Sequence, residues 1–172
     1  PDSGVADLPI MTGTVSIVVP VFNGIRYLPA AIDSILCQTY DNLDIVLVDG
    51  GSTDGSRDWI HTVDDPRVRV QLMPAGTTAA DNWTTASRAA SGDYVKLLCQ
   101  DDLLYPTAIE LQVADLEMHP PALFSVAQRD IVDIHGAILY GRRGCAGLRN
   151  GLIDGPTALR ASYSHGTNIF GE

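Results

Sequence analysis

The apolar residues of this chain change spacing several times, from continuous runs to helical periodicity and back. Residues 15–20 form a continuous β-branched run, which is typical of a strand buried on both faces. Over residues 24–38 isoleucine and leucine recur every three or four positions, which predicts an amphipathic helix. The same reasoning predicts further strands over 44–48, 68–72, 94–98, 124–126 and 131–140, and helices over 57–63, 78–90, 106–119 and 156–162.

This alternation of strands and helices predicts an α/β fold with a parallel, doubly wound sheet and right-handed crossovers. Ligands bind to such sheets beyond the carboxyl ends of the strands, where the strand order switches. We therefore expect functional residues in three loops, at 21–24, 49–56 and 99–105.

Length and composition suit one globular domain. The 172 residues are 45% hydrophobic and 19% charged, enough to bury an ordinary core. We expect a loose leader over 1–14 and a single domain over 15–172. The formal charge of −10 disfavours nucleic acids and anionic membrane surfaces as partners, because both require basic patches.

The three cysteines are widely spaced and form no Cys-x-x-Cys pair. This argues against a zinc site and favours a reduced, cytoplasmic setting. No apolar run reaches the ~20 residues of a membrane-spanning helix. The first dozen residues lack the pattern of a signal peptide.

The three loops carry unusual chemistry. The first, PVFNG at 20–24, is not the glycine-rich fingerprint of dinucleotide-binding proteins. The second, DGGSTDGS at 49–56, contains glycines that allow a ligand to approach the backbone closely. The third places Asp101 and Asp102 directly after an apolar strand, where a cation would offset their charge. A divalent ion held by such a carboxylate can bridge to a diphosphate.

Each of these residues also has a purely structural interpretation. Asp49, with Ser52 and Thr53, can close a turn. Asp101 and Asp102 can cap the helix that follows them, and Asn23 can cap the helix predicted from residue 24. Phe22 can pack rather than cover a base. The functional interpretation rests on the three loops meeting at one sheet edge.

Three segments, VSIVVPVFN, DIVLVDGGSTDGS and SGDYVKLLCQDDLLYP, resemble the ordered motifs of family 2 glycosyltransferases. The resemblance covers Val15 to Ala114. It implies a Rossmann-like GT-A nucleotide-sugar-binding fold, with helices on both faces of a mostly parallel sheet. It also implies a nucleoside-diphosphate-sugar donor, expected to be a UDP-sugar, a Mn²⁺ or Mg²⁺ cofactor, and transfer with inversion to a saccharide or other hydroxyl acceptor. The resemblance further implies a role in cell-surface polysaccharide biosynthesis.

The resemblance also assigns residues to the donor site. The segment formed by Pro20, Val21, Phe22 and Asn23 matches the first nucleotide-contacting loop. Asp49 matches the acid that reads the base, through the imide hydrogen of uracil, and its loop adds Gly51 and Ser52. Asn82 matches the family's asparagine in the helix before the fourth strand.

The metal motif departs from the family pattern. Asp101 matches the last acid of the Asp-x-Asp motif, the usual metal ligand, and Asp102 matches the acid that often follows. Cys99 stands where the first acid is expected, with Gln100 beside it in the donor site. Another register puts Gln100 first and makes Asp102 the metal ligand.

The resemblance places the catalytic base in the acceptor half, beyond Glu172, so the chain is expected to be a fragment with that half missing or incomplete. Asp154, His165 and Glu172 are available, but none is assigned this role. A non-catalytic nucleotide-sugar-binding or partner-binding module is the alternative, favoured by Cys99 and by the missing base. A dinucleotide-dependent oxidoreductase is excluded by the first loop.

Overall fold

The fold begins with strands and helices in strict alternation. A computed structural model describes residues 11–145 and 148–165. The alternating elements are β1 (Val15–Val21), α1 (Leu28–Leu36), β2 (Leu43–Asp49), α2 (Ser56–Ile60), β3 (Val68–Leu72), α3 (Ala79–Arg88), β4 (Tyr94–Leu97) and α4 (Ala108–Met118). The predicted α/β class and each predicted strand and helix up to α4 are confirmed, with shifted ends.

The four strands form one parallel sheet in the order β3-β2-β1-β4. β1 pairs with β2 along its whole length, from Val15↔Leu43 to Val21↔Asp49. On its other side it pairs with β4 from Val15↔Tyr94 to Val18↔Leu97. The chain thus winds outward from β1 through β2 to β3 and then returns to the opposite side of β1. This reversal puts the switch point, the expected ligand crevice, between β1 and β4.

Both faces of the central strand β1 are covered, which explains why it is buried at every position. Ile17, Val19 and Ile45 belong to a large cluster that also contains apolar side chains of α1 and α4. Val18 and Val46 belong to a second cluster, together with Ala86 of α3. Since neighbouring residues in a strand face opposite sides, a continuous apolar run is what such a strand requires.

Helix α1 begins four residues later than the sequence predicts. The backbone amides of Tyr27 and Leu28 both donate to the carbonyl oxygen of Gly24, at 2.9 Å, and close a turn. Pro29 then occupies the first turn of the helix, where its missing N–H does no harm. The residues between Gly24 and the helix therefore remain available to the first loop.

The chain divides into two compact units, the first ending at Val113 and the second beginning at Ala114. The second unit contains an antiparallel hairpin of β5 (Arg129–Val132) and β6 (Ile138–Arg143), followed by α5 (Gly155–His165). The predicted hairpin with its turn at Gly136 is confirmed. The strand predicted over 124–126 is wrong, because no strand in the described part of the chain pairs with it.

The predicted leader lies mostly outside the described residues. Its last residues are attached to the first unit: the side-chain amide of Asn42 donates to the carbonyl oxygen of Thr12, at 3.0 Å, and the amide of Thr14 donates to Asp93 at 2.9 Å. Among the described helices, none is long and apolar enough to cross a bilayer.

At the amino end of β2, Asp44 is the centre of a polar network. Arg69 donates two hydrogen bonds to its carboxylate, at 2.6 and 2.9 Å, and the hydroxyls of Ser16 and Ser91 donate two more. The bonds from Arg69 outweigh the effect of burial and hold the pKa of Asp44 at about 2, below the usual 3.8.

Replacing Asp44 with asparagine is expected to lower the free energy of unfolding near neutral pH by about 2 kcal/mol. Because the pKa is lowered on folding, this stabilisation is complete above about pH 4 and is lost as the pH falls toward about 2. Urea unfolding of both proteins between these pH values measures the difference. A gap that stays constant with pH would contradict the assignment.

Candidate donor-binding site

A cleft of about 230 Å³ opens at the carboxyl ends of β1, β2 and β4. Its walls include five of the residues predicted from the sequence: Pro20, Phe22, Asn82, Gln100 and Asp101. Sequence reasoning did not assign to the site Gly50, Thr77, Thr78, Ala79, Trp83 and Cys99, which also line it. The three loops predicted to meet do so at this edge.

Two aromatic side chains on the cleft wall are half exposed. Phe22 follows β1 and is 52% exposed, and Trp83 lies on α3 and is 45% exposed. Pockets that bind small molecules are lined mainly by apolar and aromatic side chains. Flat aromatic faces of this kind are suited to stacking against a base. The sequence offered a clue to Trp83, because this residue directly follows Asn82, which was already assigned to the site.

Hydrogen bonds join the first loop to the second. Asn23 adopts a positive φ of 49°, its side-chain oxygen accepts from the amide of Thr53 at 2.8 Å, and its own amide donates to the Ser52 hydroxyl at 2.9 Å. The amide of Gly24 donates to the hydroxyl of Ser56 at 3.0 Å. Asn23 therefore fixes two loops together. The alternative that it caps α1 is wrong, because α1 begins at Leu28.

Asp49 is fully buried at the end of β2, with a side-chain exposure of 0%. Its carboxylate accepts from the amides of Gly51 and Ser52, at 3.1 and 3.2 Å, and from Nε of Arg57 at 2.6 Å. Burial would raise the pKa of Asp49, but the bonds from Ser52 and Arg57 and the loop amides outweigh it and lower the pKa. The predicted turn-closing role is observed. The base-reading role stays a prediction.

Asn82 lies at the base of the cleft and is 4% exposed. Its side-chain NH₂ donates to the carbonyl oxygen of Val21 at 3.0 Å. A Cβ on Gly50 would lie 2.7 Å from the same nitrogen, so a glycine is needed there. Within the described structure, the buried side-chain carbonyl oxygen of Asn82 has no hydrogen-bond partner. Such an oxygen costs free energy until a donor reaches it.

The third loop carries two exposed acids. Asp101 lines the cleft, and no hydrogen bond or ion pair of its carboxylate is seen among the described residues. The Asp102 amide donates to the carbonyl oxygen of Cys99 at 3.1 Å, which closes the turn. Burial lowers the pKa of Lys96, and attraction to Asp102 opposes this. The capping alternative is wrong for both acids, because α4 begins only at Ala108.

Gln100 points back to the first loop. Its side-chain NH₂ donates to the carbonyl oxygen of Phe22, and its side-chain oxygen accepts from the amide of Phe22, both at 2.9 Å. The side chain therefore joins two of the three loops.

A family model described as glycosyl transferase family 2 matches residues 16–150. This chain belongs to that family. An uncharacterized glycosyltransferase of Rickettsia bellii is 31% identical over 92% of this chain and 25% of its own length. The chain spans well under half of the curated relatives it matches, from 13% to 40% of the lengths of eight of them.

Two solved structures share the GT-A fold of the family. Staphylococcus aureus TarS 1-349 in complex with UDP-GlcNAc has a TM-score of 0.55 and 20% identity, over 62% of this chain and 32% of that one. The mannosyltransferase PcManGT of Pyrobaculum calidifontis, in complex with GDP-Man and Mn²⁺, has a TM-score of 0.52 and 26% identity, over 73% and 37%. The predicted fold is thus confirmed.

Family 2 glycosyltransferases commonly use a divalent cation, and the acids of the third loop bear on whether one fits here. Among residues 11–145 and 148–165 no group of three or more His, Cys, Asp or Glu side chains could hold a metal. The exposed Asp101 carboxylate nevertheless suits Mg²⁺ or Mn²⁺, since these ions bind through one or two carboxylates and take other ligands from substrate phosphates.

The residues considered for the catalytic base divide into two groups. Asp154 accepts from the amide and the hydroxyl of Thr157, at 3.0 and 2.7 Å, and so caps α5. Glu172 and the side chain of His165 lie outside the described residues. Cys37, Cys99 and Cys145 are not joined in disulfides, and Cys99 lies in the cleft, at the position that the resemblance matched to the first acid of the metal motif.

Proposed function

We propose that this cleft binds a nucleoside-diphosphate sugar and that the protein transfers the sugar to an acceptor hydroxyl with inversion. The observation that carries the proposal is the composition of the cleft wall, which combines the half-exposed rings of Phe22 and Trp83 with the exposed acid Asp101. The side-chain carbonyl oxygen of Asn82 has no partner within the described residues, and an oxygen that accepts but cannot donate suits a base with an N–H in its ring. Uracil and guanine, the bases named in the complexes of the two structural neighbours, both have one.

Different residues of the cleft wall bind different parts of the donor. Phe22 and Trp83 cover the faces of the base, and Asn82 accepts its N–H. The diphosphate then lies toward Asp101, which would hold a Mn²⁺ or Mg²⁺ ion. When bound, this ion supplies the positive charge that stabilises the departing diphosphate. In a chain with a formal charge of −10, such compensation is needed to bind a polyanion.

Inversion requires the acceptor hydroxyl to attack the anomeric carbon from the side opposite the diphosphate. A carboxylate base must take the hydroxyl proton as the new bond forms. The residues that line the cleft bind the donor. Other residues bind the acceptor and supply the base.

Calorimetric titration with UDP, GDP, dTDP and CDP, each with and without Mn²⁺, tests the donor site. We expect Mn²⁺ to strengthen binding. Among the nucleotides whose base has a ring N–H, we expect UDP to bind most tightly. Failure of every nucleotide to bind to a folded protein would overturn the proposal.

Replacing Asn82 with alanine is expected to weaken binding of the preferred nucleotide about tenfold, because the ring N–H loses its acceptor. The sharper test uses UDP and N3-methyl-UDP, which has no ring N–H. The wild type should bind UDP more tightly than the methylated analogue, and the variant should bind both alike. Asp49→Asn is the comparison variant: if it removes the discrimination and Asn82→Ala does not, then Asp49 reads the base.

A further inference from the structure

The first and third loops are adjacent at the switch point, but the backbone ladder does not join them. β1 and β4 pair as far as Val18↔Leu97, and the amide of Leu98 donates to the carbonyl oxygen of Val18 at 3.0 Å. In the described structure the ladder ends there, and the cleft opens beyond it. Phe22 and Asp101, which lie on opposite sides of this gap, therefore need another connection to keep a fixed separation.

The side chain of Gln100 supplies that connection. Its NH₂ group and its oxygen each form a hydrogen bond of 2.9 Å with the backbone of one residue, Phe22. We call this pair of bonds the clasp. It reproduces the donor-and-acceptor pattern of a strand pair beyond the point where the strands separate.

The sequence makes room for the clasp at Gly24. A Cβ built on Gly24 would lie 2.2 Å from the side-chain oxygen of Gln100 and 2.3 Å from its amide carbon. Such distances are far inside van der Waals contact, so any larger residue would displace the side chain. The clasp of Gln100 therefore requires glycine at position 24, although 76 positions separate the two residues.

We infer that Gln100 is a positioning residue of the donor site, which holds the base-covering Phe22 at a fixed place relative to the loop of Asp101. The inference rests on the proposed function and gives Gln100 a role through Phe22 rather than through direct contact with the nucleotide. A preorganised loop reduces the ordering that binding requires. Loss of the clasp should therefore weaken nucleotide binding without unfolding the protein.

Gln100→Met tests the clasp, because methionine keeps the length of the side chain but has no hydrogen-bond donor and only a weak acceptor. The amide and the carbonyl oxygen of Phe22 then both lose their bonds to residue 100. We expect the affinity for the preferred nucleotide to fall about tenfold.

Gln71→Met is the matched control. It makes the same substitution at an exposed position of β3 and should bind the preferred nucleotide as tightly as the wild type does. The affinity of each variant is titrated with Mn²⁺ near pH 7.5 and divided by the wild-type value.

Hydrogen exchange of the Phe22 amide, measured by NMR without nucleotide, provides the second readout. In Gln100→Met the exchange rate should rise about tenfold or more, and in Gln71→Met it should stay at the wild-type value. Unchanged protection of Phe22 in Gln100→Met, or wild-type affinity in that variant, would overturn the inference. If the wild type binds no nucleotide, the proposed function fails and the positioning role with it, while exchange still shows whether the clasp forms.

Discussion

Mn²⁺-dependent nucleotide binding is expected to disappear when Asp101 is replaced by asparagine. The wild-type carboxylate is exposed in the cleft, and an amide oxygen binds a hard cation far more weakly than a carboxylate does. We expect affinity in the presence of Mn²⁺ to fall about 100-fold, to the level seen without metal. Calorimetric titration with and without Mn²⁺ measures both values. The melting temperature should stay the same, because Asp101 makes no hydrogen bond or ion pair with the described residues.

Asp102→Asn is the matched control for this change. The two acids are adjacent and both exposed, but Asp101 is the one found on the cleft wall, and Asp102 is attracted to Lys96. The control variant should therefore keep most of its Mn²⁺ dependence. If Asp102→Asn loses the dependence and Asp101→Asn keeps it, the metal ligand is Asp102, as in the alternative register that starts at Gln100.

Residues whose role follows from local pattern were the ones that the sequence predicted well. A continuous apolar run such as 15–21 has few solutions other than a strand covered on both faces, and β1 is that strand. The carboxyl ends of parallel strands share one edge, so the meeting of the three loops followed from topology alone. The position of Asp101 on the cleft wall followed from the same topology, and its metal-binding role stays a prediction.

The sequence did not predict which polar groups the site residues would bond to. The carboxylate of Asp49 bonds to Arg57 and to two loop amides, all within eight positions, while its base-reading role stays a prediction. Gln100 was assigned to the donor site, and its side chain bonds to the backbone of Phe22, 78 positions away. No periodicity reports which of two polar groups a side chain will bond to. Such contacts depend on loop geometry, and this is set only when the sheet has formed.

The charge balance connects these observations to the proposed chemistry. The loops that form the cleft carry Asp49, Asp54, Asp101 and Asp102, and Asp49 is neutralised internally by Arg57. Asp54 accepts from the amides of Ile25 and Ser56, both at 3.0 Å. Two of the four acids thus serve the loops themselves. Under the proposed function, the exposed carboxylate of Asp101 would hold the cation that a polyanionic donor requires.

The second large effect is expected at Gly51, where alanine should lower the free energy of unfolding by about 3 kcal/mol and also weaken nucleotide binding. Gly51 has a φ of 98°, a conformation that costs any L-residue free energy. In addition, a Cβ there would lie 2.9 Å from Cα of Ala75 and 3.0 Å from the carbonyl oxygen of Pro74. These are backbone atoms, so relief requires movement of the segment that leads to Thr77 on the cleft wall.

Gly76→Ala separates the two causes of this destabilisation. Gly76 also has a positive φ, of 86°, but a Cβ there would meet nothing within 4 Å. This control should lose only the backbone term, about 1–2 kcal/mol, and should bind nucleotide more tightly than Gly51→Ala. Urea unfolding gives the free energies and titration with Mn²⁺ gives the affinities. Equal losses in both measurements would mean that contact with the 74–75 backbone contributes nothing, and that the cleft tolerates movement of the segment before Thr77.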